Sequence, residues 1–510
     1  MTLTSCQDFW DDLFGTEDAP TENTTPEESG PKQENDLIKT ENGAEATVKS
    51  FAEITDLLNK VRADIEKAAK SGDKYVFKVK AENLKTTSAD CTVEVPKVTS
   101  SDINLEFANK ITTEIPLVVK AAERKHEEPI QAVDKLTITM PASEGLNLEL
   151  DMPETAVTLK VASGLVTFDE LVTITATNAL YIESGVTVKN LQVKGGNVVV
   201  KDGGKAETYV YAAANNDDTL SVGNDGSIHV GYGSTVKDEN DAPYPCKNLK
   251  IIKGAADYAK IKMLPNNGIE HLTIAEGVVV KTLMDENNMK VVEGEGKGAE
   301  LQLEYDDRWI TDENGKEFTR IYSYLWYTEM KNIVLSQVQT NIHADSLVYT
   351  AYTSGGDLEN CTFRFDDISL GMSDILPNTP SIKSCKNCKF EATNKNNIIH
   401  LSIPGQCDYI PSYNFNFTNC DFTQGFKLET TVLDRFPIYD ENGHFSGYAD
   451  AEFADYDVTI TFTNCKLGSE SISNPSDFIS KPDIPAGVNL KYVIDSKTYE
   501  FVDDSLVLVQ

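Results

Sequence analysis

Apolar residues alternate with polar or small residues along most of the chain beyond residue 75. This period of two predicts β-strands that bury one face, because successive side chains point to opposite sides of a strand. Gly, Asn, Asp and Ser separate the alternating segments, as expected for tight turns between short strands. Almost nothing in this part of the chain has helical spacing, so the pattern predicts an all-β fold. The clearest alternations lie at residues 136–140, 146–150, 157–161, 172–174, 180–182 and 186–188.

One short motif recurs within this alternation: Asn, an apolar residue, any residue and a second apolar residue. The two apolar residues share one face of a strand, and Asn tolerates the left-handed backbone of the preceding turn. Four strict copies carry Cys after the Asn and begin at Asn360, Asn387, Asn419 and Asn464. Looser copies begin at Asn190, Asn248, His271, Asn288 and Asn332. From residue 332 the spacings are 28, 27, 32 and 45 residues (to 360, 387, 419 and 464), and the shorter ones are typical of solenoid repeats.

Stacked turns at this spacing place Asn over Asn and Cys over Cys. Repeats and strands together resemble the right-handed parallel β-helix of the pectate-lyase-like superfamily, over about residues 130–480. The resemblance rests on pattern and includes no catalytic motif. It implies an all-β, right-handed parallel β-helix solenoid. The alternative is a β-sandwich in which Asn-Cys pairs recur by chance.

The sequences that flank the repeat region at both ends predict elements that cap the solenoid. Apolar residues at helical spacing from Phe51 to Ile65, followed by Ser71-Gly72, predict an amphipathic helix that closes the N-terminal end. Residues 490–509 predict a β-hairpin that turns near Asp495. The predicted organisation is the end of a lipobox at 1–6, an acidic disordered tether at 7–48, a helix and β-rich cap at 49–130, the parallel β-helix at 131–480 and a hairpin cap at 481–510.

The chain is strongly acidic, with 46 Lys and Arg against 81 Asp and Glu and a formal net charge of −35. This charge disfavours nucleic acid and bare anionic membrane as partners. The 510 residues, of which 40% are hydrophobic, suffice for a large core. Nothing approaches the roughly 18 consecutive apolar residues of a membrane-spanning helix.

The first residues predict a lipid anchor. Leu3-Thr-Ser-Cys6 resembles a bacterial lipobox, in which Cys6 is lipidated and becomes the mature N-terminus. The acidic segment Gln7-Asp-Phe-Trp-Asp-Asp12 resembles the surface-export signal of Bacteroidota lipoproteins, and the polar residues beyond it predict a flexible tether. These resemblances imply a lipid-anchored protein at the outer membrane or cell surface of a Gram-negative bacterium. Only five residues precede Cys6, so we expect an upstream start codon that supplies the rest of the signal peptide.

The cysteines of the strict repeats are predicted to pack inward as small apolar side chains. They are Cys361, Cys388, Cys420 and Cys465. Cys385-Lys-Asn-Cys388 is also a CxxC pair, which we interpret as two core positions on either side of a turn. Redox or zinc chemistry is the alternative, although no second CxxC or His pair supplies the remaining zinc ligands.

Enzymes with the resembled fold act in a groove beside a strand face, so paired carboxylates are the first catalytic candidates. Asp366 and Asp367 form the best pair, directly after a repeat strand. The Gly-His-Gly and Arg-x-Lys elements of related glycosidases are missing, and the six His are scattered. We therefore expect a solvated surface at this pair and assign no catalytic residue.

Calcium is the one cofactor that the sequence leaves open, and no other cofactor is expected. Oxygen-rich turns supply weak ligand candidates, namely Asp217, Asp218, Asp225, Asp238 and Asp241. None has the full spacing of an EF-hand, and turn chemistry alone explains each of them.

Two aromatic-rich excursions interrupt the repeat. Each contains Asp-Glu-Asn-Gly, at residues 312–315 and 440–443, and Asn-Gly is a strong hairpin-turn signal. We interpret residues 305–327 and 436–450 as projecting hairpins that bracket an oligosaccharide, because aromatic rings stack on sugar faces. The predicted binding residues are Trp309, Tyr322, Tyr324, Trp326, Tyr439 and Tyr448. The alternative is that these aromatics only pack the hairpins onto the solenoid.

The main hypothesis is therefore a surface lipoprotein whose non-catalytic β-helix binds a glycan or a host or cell-envelope partner. One alternative is a polysaccharide lyase or glycoside hydrolase that acts in the β-helix groove. Another is a structural stalk or coat protein. The sequence leaves the oligomeric state open.

Overall fold

Strands make up most of the described residues in the computed structural model of this chain. The structure describes residues 37–81, 84–86, 91–123, 133–142, 146–152, 154–162, 164–175, 179–193, 197–222, 228–230, 234–238, 240, 247–263, 269–284, 289–303, 309–311, 317–319, 324–326, 329–337, 352–354, 357–364, 367–371, 384–391, 398–403, 405–406, 411–439 and 445–510. Within these ranges the helices are Phe51–Lys60, Arg62–Ser71 and a 3-10 turn at Pro475–Asp477. The predicted all-β class is confirmed.

The largest sheet, called sheet 1, contains 20 strands. Its strands pair in parallel, apart from the antiparallel pairs made by Leu37–Thr40, Ile228–Val230 and Glu470–Ser471. The remaining strands of sheet 1 are Gly43–Thr47, Lys74–Lys80, Asp102–Phe107, Lys135–Met140, Ala156–Val161, Ala179–Ile182, Asn197–Val200, Thr219–Val222, Ser234–Asp238, Ala259–Met263, Val279–Met284, Glu300–Leu303, Val334–Gln337, Thr362–Arg364, Lys389–Glu391, Asp421–Phe422 and Lys466–Leu467.

A second sheet, called sheet 2, contains 17 strands. All of them pair in parallel with their neighbours except the last two, which fold back antiparallel. The strands of sheet 2 are Thr92–Val95, Leu117–Ala121, Leu148–Asp151, Val166–Thr175, Val186–Val193, Lys205–Tyr211, Asn248–Ile251, His271–Ile274, Val291–Gly294, Glu329–Lys331, Leu358–Glu359, Ser384–Lys386, Ser412–Thr418, Tyr456–Thr463, Val488–Ile494, Lys497–Val502 and Ser505–Leu508.

A third parallel sheet, called sheet 3, contains five strands from the C-terminal half of the chain. They are Tyr324–Trp326, Tyr352–Ser354, Asp367–Gly371, Ile398–Ile403 and Lys427–Val432. Three further two-stranded pairs are Lys85–Thr86 with Thr112–Thr113, Trp309–Thr311 with Glu317–Thr319, and Arg435–Tyr439 with Phe445–Asp450.

Successive strands alternate between sheet 2 and sheet 1. For example, Leu148–Asp151 lies in sheet 2, Ala156–Val161 in sheet 1 and Val166–Thr175 in sheet 2 again. Each strand pairs in parallel with the strand of the same sheet that lies one repeat away along the chain. Among the described strands, sheet 3 joins this alternation only from residue 324 onwards. The chain therefore returns to the same sheets with each repeat.

The core lies between the sheets, where alternate residues of successive strands stack in register. One fully buried column consists of Leu136, Val157, Leu180 and Val198. Further along, the Phe390 ring stacks between Phe363 and Phe422, at centroid distances of 5.2 and 4.9 Å. Each such column stabilises the fold by about 25 cal/mol per Å² of apolar surface removed from water.

The predicted N-terminal helix is present, but it breaks at Val61 into two helices. The Ser50 side chain caps the first helix by accepting from the Glu53 backbone N–H. Gly72 ends the second helix with a left-handed φ of 74°, which confirms the predicted stop.

The tether was expected to extend to residue 48, and this expectation is wrong for its last part. Leu37–Thr40 and Gly43–Thr47 are paired strands, and Gly43–Thr47 also pairs in parallel with Lys74–Lys80. Ala44 and Ala46 are buried, so small residues in a polar segment contribute to the core. Parallel pairing also crosses the boundary expected at residue 131, since Asp102 pairs with Lys135.

The C-terminal hairpin is confirmed, with Val488–Ile494 antiparallel to Lys497–Val502. The same strand, Val488–Ile494, pairs in parallel with Tyr456–Thr463 and so extends sheet 2. A further strand, Ser505–Leu508, was not anticipated.

Three of the looser motif copies occupy a different position from the strict ones, whereas Asn332 occupies the same left-handed position. These three copies lie inside strands of sheet 2 and begin at Asn190, Asn248 and His271. Asn190 pairs with Thr208, Thr208 with Asn248 and Asn248 with His271, so all of them lie in one row of the sheet. The predicted equivalence of these copies with the strict ones is wrong, because alternation alone does not reveal where the turn falls.

Candidate functional site

A column of left-handed turns joins strands of sheet 2 to strands of sheet 1. The five turn residues have φ between 53° and 55° and are Asn332, Asn360, Asn387, Asn419 and Asn464. The side-chain Nδ2 of each of the last four donates to Oδ1 of the Asn one repeat earlier, over 2.8–3.0 Å. The predicted left-handed Asn turns are confirmed, and their ladder fixes the register of neighbouring repeats.

A column of thiols lies directly inside the Asn ladder. The four predicted cysteines, at most 3% exposed, are Cys361, Cys388, Cys420 and Cys465. Each Sγ donates to the backbone carbonyl two residues earlier and to a carbonyl in the preceding repeat, as Cys420 does to Thr418 (3.5 Å) and Cys385 (3.3 Å). The inward position is confirmed. The thiols are also hydrogen-bond donors, which was not foreseen.

The Cys385-x-x-Cys388 pair lies in the core, as interpreted, and both cysteines are free. Burial raises the pKa of the Cys385 thiol, and contact with Cys388 raises that of Cys420 to about 12, so both stay protonated. Cys361 differs, because a hydrogen bond with Cys388 lowers its thiol pKa. Within the described ranges no group of three or more His, Cys, Asp or Glu side chains is placed to hold a metal ion.

The most developed polar arrangement lies on the outward side of sheet 1. Its four neighbouring strands are Glu300–Leu303, Val334–Gln337, Thr362–Arg364 and Lys389–Glu391. Their inward side chains are buried, namely Leu301, Leu335, Phe363 and Phe390. Strand alternation therefore turns the intervening residues outward. We call this set the polar face, and it consists of Glu300, Gln302, Ser336, Arg364 and Glu391.

Two glutamates hold Arg364 between them on the polar face. Arg364 Nε donates to Glu391 Oε2 over 2.7 Å, and its Nη1 lies 3.6 Å from Glu300 Oε2. Glu300 Oε1 also accepts from Gln302 Nε2 at 3.0 Å and from the Ser336 hydroxyl. The Glu300 side chain is only 16% exposed, whereas that of Arg364 is 43% exposed. The face thus offers a positioned guanidinium and carboxylate oxygens to solvent.

Glu391 is held in its charged form. The hydrogen bond from Lys389 and, less strongly, that from Arg364 lower the pKa of the Glu391 carboxyl below its ordinary value. A carboxylate with a lowered pKa accepts hydrogen bonds at neutral pH and does not donate a proton. Glu391 is therefore suited to binding hydroxyl groups and unsuited to general acid catalysis.

The polar face leads directly into the first predicted hairpin. Strand Glu300–Leu303 is followed by Trp309–Thr311, which pairs antiparallel with Glu317–Thr319 across the first Asp-Glu-Asn-Gly segment. Arg435–Tyr439 pairs in the same way with Phe445–Asp450 across the second. Both hairpins are confirmed in their backbone pairing.

The predicted aromatic site falls largely on parts that the structure does not describe. These are residue Tyr322 and the side chains of Trp309, Tyr324, Trp326, Tyr439 and Tyr448. Their role in binding stays a prediction.

Tyr324 and Trp326 do not belong to the first hairpin. They lie on a strand of sheet 3, where Tyr324 pairs in parallel with Tyr352 and Trp326 with Ser354. The interpretation of residues 305–327 as one projecting hairpin is therefore wrong for this strand. A short alternating segment suits a hairpin and a parallel sheet equally well, so the sequence did not separate the two.

Asp366 lies outside the described residues. Asp367 opens the strand Asp367–Gly371 of sheet 3 and pairs with Ile398. Asp367 thus begins the sheet 3 strand that follows Thr362–Arg364 in the order of described strands.

Two of the calcium candidates lie in a described turn. Asp218 Oδ2 accepts from the backbone N–H and the side-chain amide of Asn215, at 3.1 and 3.2 Å, which is turn chemistry, and Asp217 is exposed. The backbone of Asp238 pairs with Val200. Asp225 and Asp241 lie outside the described ranges, as does Cys6.

The residues of the polar face do not stand out in the sequence. Arg364 stands two residues before the Asp366 pair, which was the only local signal. Glu300 and Ser336 are 64 and 28 residues from Arg364 (364 − 300 and 364 − 336) and become its neighbours only through strand register.

Comparison of the chain with known protein families, curated proteins and solved structures gave no match. In the part of the chain that the structure describes, no helix has the length and apolar character needed to cross a membrane.

Proposed function

We propose that this chain is a cell-surface lipoprotein whose right-handed parallel β-helix binds a glycan without cleaving it. The strand path supports the β-helix, because the chain returns to the same parallel sheets with each repeat, and such crossovers are right-handed in about 98% of known cases. The lipobox at Cys6 supports the anchor at the outer membrane, and the acidic tether supports exposure beyond it.

The polar face carries the proposal. Sugar hydroxyls both donate and accept hydrogen bonds, and the face supplies carboxylate acceptors at Glu300 and Glu391 beside the donors of Arg364. These groups are held by paired strands, so little side-chain freedom is lost on binding. The hairpin that begins at Trp309 follows the first strand of the face, where an aromatic ring would stack on a sugar ring.

The charge state of Glu391 makes it unsuited to be the general acid of a glycosidase. A glycosidase needs one carboxylic acid that carries a proton at working pH, and such an acid has a raised pKa. The pKa of Glu391 is lowered instead. A carboxylate fixed by Lys389 and Arg364 is a permanent acceptor.

A glycan panel with matched variants tests this function. Arg364→Ala should weaken binding by about 30-fold, as expected for a central Arg worth about 2 kcal/mol. Lys78→Ala is the control, because Lys78 forms a similar ion pair with Glu106 (3.3 Å) on the outward side of sheet 1, away from the polar face. Equal binding by Arg364→Ala and wild type would contradict the assignment of the polar face.

The same panel separates the alternatives. Release of reducing ends or unsaturated products, abolished by Asp366→Ala or Asp367→Ala, would replace the binding function with an enzymatic one. Failure of the wild type to bind any glycan or envelope partner would favour a stalk or coat protein.

A further inference from the structure

A second concave site lies well before the polar face, at the C-terminal ends of three sheet 2 strands. It is a cavity of about 600 Å³ that is open on one side. The strands are Val186–Val193, Lys205–Tyr211 and Asn248–Ile251. The described residues that line it are Gln192, Val193, Tyr211, Ala212, Ala213, Ala214, Asp218, Ile252, Lys253, Gly254 and Ala255, and we call it the Tyr211 pocket.

Two stacked loops form the walls of the Tyr211 pocket and hold each other in place. Loop 212–218 and loop 252–258 are joined by Asn216 and Asp257: the Asp257 N–H donates to Asn216 Oδ1 at 2.9 Å, and Asn216 Nδ2 donates to Asp257 Oδ2 at 3.2 Å. Gly254 permits the close approach of the two loops, since a Cβ at this position would lie 2.0 Å from the Ala213 carbonyl oxygen. The small residues of both loops leave the space that larger side chains would fill.

Two polar side chains in the pocket wall are nearly buried yet incompletely paired. Tyr211 is 6% exposed, and no described residue bonds its hydroxyl. Gln192 is also 6% exposed, and its carboxamide oxygen accepts from Thr173 Oγ1 at 3.3 Å. Within the described ranges the amide nitrogen of Gln192 has no partner. Neither the Tyr211 hydroxyl nor the Gln192 amide nitrogen is among the described buried polar atoms that lack a partner, so both atoms can pair with water or with a ligand in the pocket.

Of the charged residues on the two wall loops, Asp218 and Lys253 line the pocket, whereas Asp217 and Asp257 do not. The Asp218 carboxylate is half-buried and the Lys253 ammonium is exposed, so together they add no net charge. Burial and the nearby Asp218 raise the pKa of Tyr211 to about 12, so its hydroxyl remains a donor at neutral pH. The pocket therefore offers donors and acceptors side by side and has small apolar walls.

We propose that the Tyr211 pocket binds a single neutral sugar ring, with the Tyr211 hydroxyl and the Gln192 amide as the hydrogen-bonding groups of its wall. A sugar ring carries hydroxyls that donate to Asp218 and accept from Tyr211, and its C–H faces suit the alanine walls. A uronic acid or other anion would gain nothing from Asp218. This site does not depend on the polar face, because none of its residues belongs to that face.

The test uses neutral methyl glycosides of hexoses and N-acetylhexosamines, titrated onto the full chain by calorimetry and ligand-observed NMR. Tyr211→Phe should bind about tenfold more weakly while its melting temperature stays equal or rises, because the hydroxyl that it loses has no partner in the free protein. If Tyr211 had a structural role, Tyr211→Phe would lower the melting temperature instead. Tyr181→Phe, the same change on the outward side of sheet 1, is the matched control and should bind like the wild type.

Two results would overturn the proposal. One is the absence of binding by the wild type at millimolar glycoside, and the other is equal binding by Tyr211→Phe and wild type. Preference for glucuronate over the neutral glycosides would refute the neutral ligand class. Arg364→Ala should bind the methyl glycosides normally even where it no longer binds oligosaccharides, so failure of the pocket and failure of the polar face are distinguishable.

Discussion

Replacing Cys420 by Ser, Ala or Asp separates two roles of its thiol: filling the core and donating hydrogen bonds. Cys420 is fully buried, and Sγ donates to the Cys385 and Thr418 carbonyls. Cys420→Ala removes the sulfur and the donor, which should cost about 2 kcal/mol through lost burial, a small cavity and the lost hydrogen bonds. Cys420→Ser keeps a donor and should cost only about 1 kcal/mol.

Cys420→Asp should be far more damaging than either. It would bury a carboxylate beside two carbonyl oxygens that accept and do not donate, which costs several kcal/mol. The expected order of stability is therefore wild type, Ser, Ala and, far below, Asp.

The assay is native-state labelling of Cys388 by a thiol reagent, resolved by peptide mass spectrometry. Cys388 lies one repeat away and becomes reactive only when its part of the stack opens, so its labelling rate reports the local opening free energy. A loss of about 2 kcal/mol in Cys420→Ala should accelerate labelling about 30-fold. This local readout does not require the whole repeat array to unfold in one step.

Two outcomes would refute the reasoning. If Cys420→Ala protects Cys388 as well as or better than Cys420→Ser does, the thiol only fills space and its hydrogen bonds contribute nothing. If all four column thiols of the wild type label rapidly under native conditions, the inward register itself is wrong.

Three further predictions concern the anchor, the surface charges and the aromatic strand. Expressed behind a lipoprotein signal peptide, the chain should take up palmitate and partition into membrane, and Cys6→Ser should abolish both. The pKa of Glu270 is lowered from 4.5 to about 2 by Lys247 and Lys290, so its stabilisation is complete above pH 4.5 and is lost as the pH falls towards 2. Glu270→Gln should therefore lower the urea midpoint at pH 6. The loss in the free energy of unfolding should be about 1 kcal/mol, because both lysines are exposed. Near pH 2 the same substitution should leave the urea midpoint unchanged. Trp326→Ala should weaken glycan binding with little change in melting temperature, whereas a fall of several degrees with binding unchanged would assign Trp326 to packing.

Features set by local chemistry were predictable from the sequence. The left-handed turn at Asn387 follows from the tolerance of Asn for positive φ, and the burial of Cys388 follows from its position in a strand that alternates. The helix stop at Gly72 and the antiparallel pairing around residues 312–315 follow from capping and turn preferences.

Features set by register were not predictable. Glu300 meets Arg364 only because a single strand, Val334–Gln337, lies between their strands in sheet 1, and the sequence does not give the lengths of the connections between those strands. Trp326 was placed in a hairpin because it lies close to Trp309 in sequence, yet its strand belongs to sheet 3. Ala44 was placed in the tether because its neighbours are polar. In each case the deciding contact is distant along the chain.

The Asn ladder begins where the repeats become longer, and this links the framework to the proposed binding region. Strand register stacks Gly277 and Gly298 beneath Asn332, and both glycines also have positive φ, so the same left-handed column continues through them without side chains. Gly277 lies among the described repeats that use two sheets, whereas the connection from Gly298 to Asn332 already includes the sheet 3 strand Tyr324–Trp326. From Asn332 onwards the repeats span 27 to 45 residues and include sheet 3, so closing each one costs more chain entropy. Asn adds ladder bonds that Gly cannot make, and the added bonds offset part of that cost. The long connection that holds the second aromatic segment, residues 436–450, therefore lies between two turns, Asn419 and Asn464, whose side chains are tied together by a hydrogen bond.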